Sequence, residues 1–244
     1  MPPKSKVLKA NTQKHKTQKN PPQNKKIKNQ ECPPGYHYVT GHIRKCHSGS
    51  KIWVQEHFAK NPGYEPPLDQ QALEKIFKEA DTKKFLKLGK ICKFPENEYL
   101  DPIIQFWLDY WKNKKLPFPP DLTPRLIKSM IAKESSFNPE IQAKDSLAKG
   151  LLQLTDETRR LLGGKINNGY QEIKNHQIII SPEDLFIPNV NVACGIRWIS
   201  YKFKLIPKKE EKNTFNTFRN YNNWNHGGEK YATDIFKMAE KKCP

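Results

Sequence analysis

No stretch of the 244-residue sequence holds the roughly 20 consecutive apolar residues that a membrane-spanning helix needs. The opening segment, "MPPKSKVLKANTQKHK", is basic and lacks the apolar core of a secretory signal. Aspartate and glutamate are missing from positions 1 to 30. Cysteine is sparse: Cys32, Cys46, Cys92, Cys194 and Cys243 are too few and too scattered for a disulfide scaffold, and their odd number leaves at least one unpaired within the chain. These absences argue against a helical membrane span, and the expectation is that export is not signal-led. They favour folding in a reducing compartment. The expectation is a chain made in the cytoplasm that reaches anything beyond the membrane by another exit route, or after lysis.

What is present in excess is positive charge. The formal net charge is +18 and the isoelectric point is near 9.6. Such a surplus favours anionic partners: nucleic acid, anionic lipid head groups or the anionic polymers of a cell wall. It says nothing about fold. Residues 1–30 are low in complexity, and nine lysines there supply half of the surplus. They read as a disordered basic arm, unable to bury enough apolar surface to fold alone. Its functional reading is an electrostatic tether to an anionic polymer; its plain reading is a solubilising tail.

Residues 31–64 change character. Tyr36, Tyr38, Ile43, Ile52, Trp53 and Val54 lie in short β-prone runs punctuated by Gly41 and "HSGS", which fits a small β-hairpin unit. Cys32, His37, His42, Cys46, His47 and His57 could in principle hold zinc, but the spacing C-x4-H-x4-H-x3-C is not that of a common finger. Histidines facing solvent are the preferred reading, so no metal is assigned.

Residues 65–118 turn helical and form a connecting segment. Leu73, Ile76 and Phe77 recur at helical spacing, and "DPIIQFWLDYWKN" opens with Asp101 as N-cap and Pro102 at the first helical position. Its aromatics, Phe106, Trp107, Tyr110 and Trp111, fit core packing. The prolines of "KLPFPP" end the segment.

Residues 119–244 carry the chemistry. Thr123 and Pro124 open a helix in which Ile127, Met130, Ile131 and Glu134 share one face. Lys128 and Lys133 lie off that stripe, where a solvated carboxylate would more naturally sit. A carboxylate on the apolar face keeps its proton to higher pH, because burial disfavours the charged form. A shift from about 4.3 toward 6 makes a usable general acid. Spacing alone still favours an ordinary boundary residue. Pro139 stops this helix, and a second is expected within Ala148–Gly163, closed by Gly163 and Gly164.

The ordered set of motifs resembles the soluble lytic transglycosylase domain family. Glu134, Ser135, Phe137, Asn138 and Pro139 match its Glu-Ser helix end and Phe-Asn-Pro turn. Gly150, Leu151, Leu152 and Gln153 match its Gly-Leu-Met-Gln element. Leu185, Phe186, Pro188, Asn191 and Val192 match its Leu-Phe-x-Pro-x-x-Asn element, and Gly195 follows. The resemblance spans about Thr123 to Glu240. There are departures: Leu147 stands for a usual glycine, Lys144 for a serine, Leu152 for methionine and Asp156 for a helix-starting proline. The last element survives only as Asn220-Tyr221-Asn222, without its alanine. "NVACGIRW" and the missing signal are most similar to family members lacking an export signal, some associated with phages or mobile elements.

The resemblance implies a mainly α, lysozyme-like catalytic domain. It implies cleavage of the β-1,4 bond between N-acetylmuramic acid and N-acetylglucosamine in peptidoglycan glycan strands, without cofactor. Glu134 would be the catalytic acid and base; Ser135, Gln153, Tyr221, Asn222 and Tyr231 would bind substrate. Two alternatives stay open. A hydrolytic muramidase needs a second carboxylate, and Asp145, Asp156 and Glu157 are near in sequence. A nucleic-acid- or wall-binding structural protein with an inactive lysozyme-like domain would account for the basic arm.

Overall fold

The computed structural model describes residues 35–61, 65–95, 97–165, 172–223, 225 and 227–241. The basic arm and Cys32 lie outside the described residues. The chain divides into two compact units, residues 1–62 and 63–244.

The first unit is a β-ribbon. Strand β1 (Tyr36–Val39) pairs antiparallel with β4 (His57–Lys60), and β2 (His42–Lys45) with β3 (Lys51–Val54). The pairs are nested, as in a hairpin with an interruption at 40–41 and 55–56. Ring contacts between Tyr38 and Phe58, 6.0 Å apart, fasten the outer pair. His42 and His57 each bond a backbone carbonyl two residues back, and His37 bonds Asn61. No group of three His, Cys, Asp or Glu side chains able to hold a metal occurs among the described residues.

The second unit is mainly α. Its helices are α1 (Gln70–Lys78), α2 (Leu100–Asn113), α3 (Pro124–Ser135), α4 (Asp156–Leu162), α5 (Pro188–Lys204), α6 (Thr214–Asn222) and α7 (Gly228–Ala239). Polar side chains start several of them: Asp69, Thr123, Thr155 and Asn213 each accept from a backbone N–H three residues on. Helix α5 runs through the middle, and every residue from Asn189 to Tyr201 is buried. One apolar core joins all the helices. Leu73 of α1 and Leu100, Ile104, Trp107 and Trp111 of α2 belong to it, so residues 65–118 share the core of residues 119–244. The indoles of Trp107 and Trp111 donate to Asn189 Oδ1 and the Ala193 carbonyl of α5. That satisfies their polar edges inside the core.

Four local expectations change. Helix α2 begins at Leu100 with Tyr99 as N-cap, and Asp101 lies inside it, buried. Lys128, expected off the buried face, is fully buried, because α3 is enclosed on all sides from Leu126 to Ala132. Its ammonium meets Asp101 Oδ1 at 2.6 Å, while Asp101 Oδ2 accepts from Leu88 N. The second helix starts only at Asp156, because 148–155 form turns pinned by bridges from Lys149 to Gln142 and Leu154. Cys92 is disulfide-bonded, whereas Cys46 and Cys194 are free thiols.

Candidate active site

Glu134 stands one residue before the end of α3. Below it Ile127, Met130 and Ile131 are wholly buried. Beyond it the chain leaves the helix through two consecutive left-handed residues, Ser136 (φ 51°) and Phe137 (φ 66°). Side chains other than glycine adopt this conformation at a cost, which surrounding structure must outweigh. Here the Phe137 ring supplies part of that: it is buried against Phe94, 6.0 Å away, edge to face.

The Glu134 carboxyl is half-buried. The Tyr231 hydroxyl of α7 donates to its Oε1. Burial pushes the carboxyl up to about 7; the Tyr231 hydrogen bond and the neighbouring Lys133 charge pull the other way without cancelling it. Lys133 is held 2.8 Å from Asp234, also on α7. The Tyr231 phenol is pushed well above its usual range by burial and by the Glu134 charge, and so stays a donor.

Tyr221, near the end of α6, joins this group. Burial and the Glu134 charge raise its pKa well above the ordinary value. Its hydroxyl donates to the Leu152 carbonyl at 2.7 Å, within the Gly150–Gln153 turn. That turn is fixed from the other side by Asn191 of α5. The Asn191 amide donates to the carbonyls of Lys149 and Leu185, and its oxygen accepts from Leu152 N at 2.9 Å. Two glycines make room. A Cβ on Gly150 (φ 72°) would lie 2.2 Å from the Leu185 carbonyl oxygen, and one on Gly195 would lie 2.1 Å from Leu152 Cδ1. The scattered motifs are thus a single packed junction.

The remaining candidates divide. Gln153 follows the anchored Leu152 with φ 45°, and its amide donates to the Gly150 and Ile141 carbonyls. Its Oε1 has no hydrogen-bond donor among the described residues. Ser135 is buried, and its hydroxyl donates to Ile131 O one turn back, away from the carboxyl it follows. Asn222 is exposed at the last position of α6 and makes no hydrogen bond to the cluster among the described residues. Sequence reasoning missed the Lys133–Asp234 pair and the clamp role of Asn191. Asp234 lies three residues after Tyr231 on one face of α7, a spacing visible only once Tyr231 is known to face Glu134.

The electrostatic surroundings of Glu134 include no second carboxylate among the described residues. Asp156 is committed to Arg159 and Arg160 on its own helix. The site offers one carboxyl group that titrates near neutrality, one phenol donor against it, and a rigid turn alongside.

No curated protein matches the chain. Among solved structures, the 70 kDa soluble lytic transglycosylase from Escherichia coli aligns with 71% of this chain at 13% identity and a TM-score of 0.32. The alignment spans only 28% of that larger chain. The family model described as the transglycosylase SLT domain matches residues 119–230, a span that contains Glu134, the clamped turn and the start of α7. Over those residues, somewhat under half of its length, the chain is similar to the transglycosylase SLT domain.

Proposed function

We propose that this domain cleaves peptidoglycan strands between N-acetylmuramic acid and N-acetylglucosamine, and that it does so as a lytic transglycosylase. Protonated Glu134 gives its proton to the glycosidic oxygen as the bond to the muramyl anomeric carbon breaks. The carboxylate so formed takes the proton of the muramyl C6 hydroxyl, and that oxygen closes on the anomeric carbon as a 1,6-anhydro ring. Glu134 ends protonated, ready for another cycle. The observation that carries this reading is one half-buried carboxyl, pushed up to about 7, with a tyrosine donor and, among the described residues, no carboxylate in its electrostatic surroundings. A group poised there serves as both acid and base near neutrality. The internal C6 hydroxyl is a nucleophile already in place, so no second carboxylate is needed to activate water.

Within this reading Gln153 offers its Oε1 to a sugar hydroxyl or N-acetyl N–H, and Tyr221 acts through the turn it holds. Digestion of purified peptidoglycan with mass analysis of the products is the test. Anhydro-muramyl products, one water lighter than reducing-end sugars, and their loss in Glu134→Gln, are expected. Reducing-end muramic acid would show a hydrolase, and no product at all an inactive domain.

A further inference from the structure

The β-ribbon presents a face that its own unit does not cover. On β2 and β3, Ile43 stands opposite Trp53 and Lys45 opposite Lys51. Residues two apart on a strand share a face, so all four project together. All four are exposed, Ile43 at 63% and Trp53 at 52%. A two-stranded ribbon in water is marginal by itself, and two like charges directly opposite destabilise it further. Trp53 nonetheless has a fixed seat: a Cβ added at Gly41 would lie 2.8 Å from its Cζ2, so the indole rests against bare backbone. The acidic residue of the described ribbon, Glu56, accepts from the Tyr38 hydroxyl. Residues 1–61 as a whole hold thirteen lysines and arginines against two glutamates.

We infer that this face, Ile43, Lys45, Lys51 and Trp53, binds peptidoglycan, through the sugar rings of its strands and the carboxylates of its peptide stems. The inference rests on the reading of the catalytic domain as a peptidoglycan-cleaving enzyme. A seated indole offers a flat apolar surface to the C–H face of a sugar ring, and the paired lysines meet the carboxylates of the peptide stems. The site is small: one aromatic and two cations. Binding to single-stranded nucleic acid draws instead on successive aromatics along a basic groove. A second contact on the same polymer raises the local concentration of strand at the active site without touching the chemistry.

The test uses the full chain carrying Glu134→Gln, so that binding is read without cleavage, in co-sedimentation with purified insoluble peptidoglycan. Adding Trp53→Ala is expected to weaken binding about tenfold, the scale of one lost stacking contact. Trp53→Tyr, which keeps a ring, retains most of it. Lys45→Ser with Lys51→Ser weakens binding at low salt and much less at high salt. In the otherwise native chain, Trp53→Ala leaves cleavage of short soluble glycan fragments unchanged and slows digestion of whole walls. Equal peptidoglycan binding by all variants would overturn the inference. So would the same variant dependence seen on single-stranded DNA or anionic vesicles and not on peptidoglycan. A chain that binds through this face but cleaves nothing would overturn the catalytic reading alone.

Discussion

The hydroxyl of Tyr231 on α7 donates to the carboxyl of Glu134 at the end of α3. The bond favours the charged carboxylate and so restrains the rise that burial imposes. In Tyr231→Phe the Glu134 pKa therefore moves up from about 7. The alkaline fall in turnover on peptidoglycan fragments should shift to higher pH. Turnover at its optimum should drop roughly tenfold, the scale of a hydrogen bond to a charged group. A pH–rate profile unmoved by Tyr231→Phe would separate this tyrosine from the titrating group.

Stability should carry the same signature. The folded carboxyl titrates near 7 against about 4.5 when unfolded. Below 4.5 both states hold the proton and nothing is lost. As pH rises through about 7 the unfolded state gains more from ionising, so the folded state is penalised. Partial access to solvent tempers the effect to about 2 kcal/mol. Glu134→Gln should then be more stable than wild type in urea at pH 8, with the gap closing at pH 4.

The contact between Gly195 and Leu152 should be mutually dependent. Gly195→Ala forces a methyl into the Leu152 side chain and should cost about 1–3 kcal/mol. Leu152→Ala alone should cost about 2–5 kcal/mol through the cavity it leaves. Combined, they should cost clearly less than the sum, because the new methyl occupies the vacated space. Additive losses in denaturant titrations would mean that the two residues do not press on each other.

Lys128 should behave as a buried cation rather than a surface lysine. Lys128→Met removes the partner of a carboxylate that is itself buried and should cost about 3 kcal/mol or more. Adding Asp101→Asn should recover part of that loss, since the charge is gone while the Leu88 N–H keeps an acceptor. Urea unfolding of the three variants measures it.

The sequence by itself determined the secondary elements whose signals are local. Thr123 with Pro124, the period of Ile127, Met130 and Ile131, and the β-prone runs around Ile43 and Trp53 are written in adjacent residues, and the elements formed as expected. Motif order likewise singled out Glu134 and the Gly150–Gln153 turn. Tertiary structure decided what those residues face. Ser135 and Tyr231 were equal candidates in the chain; folding turned the serine hydroxyl onto its own helix and brought the tyrosine across from α7 onto Glu134. Lys128 reads as a surface lysine until a carboxylate 27 positions earlier is packed against it. Nor does spacing say that Asn191 clamps a turn some 40 residues earlier, or that Gly195 is small because Leu152 lies on it. Periodicity records which face of a helix is turned inward. Burial, pKa and hydrogen bonding depend on which other helix arrives there, and that is settled only when distant segments close on a common core.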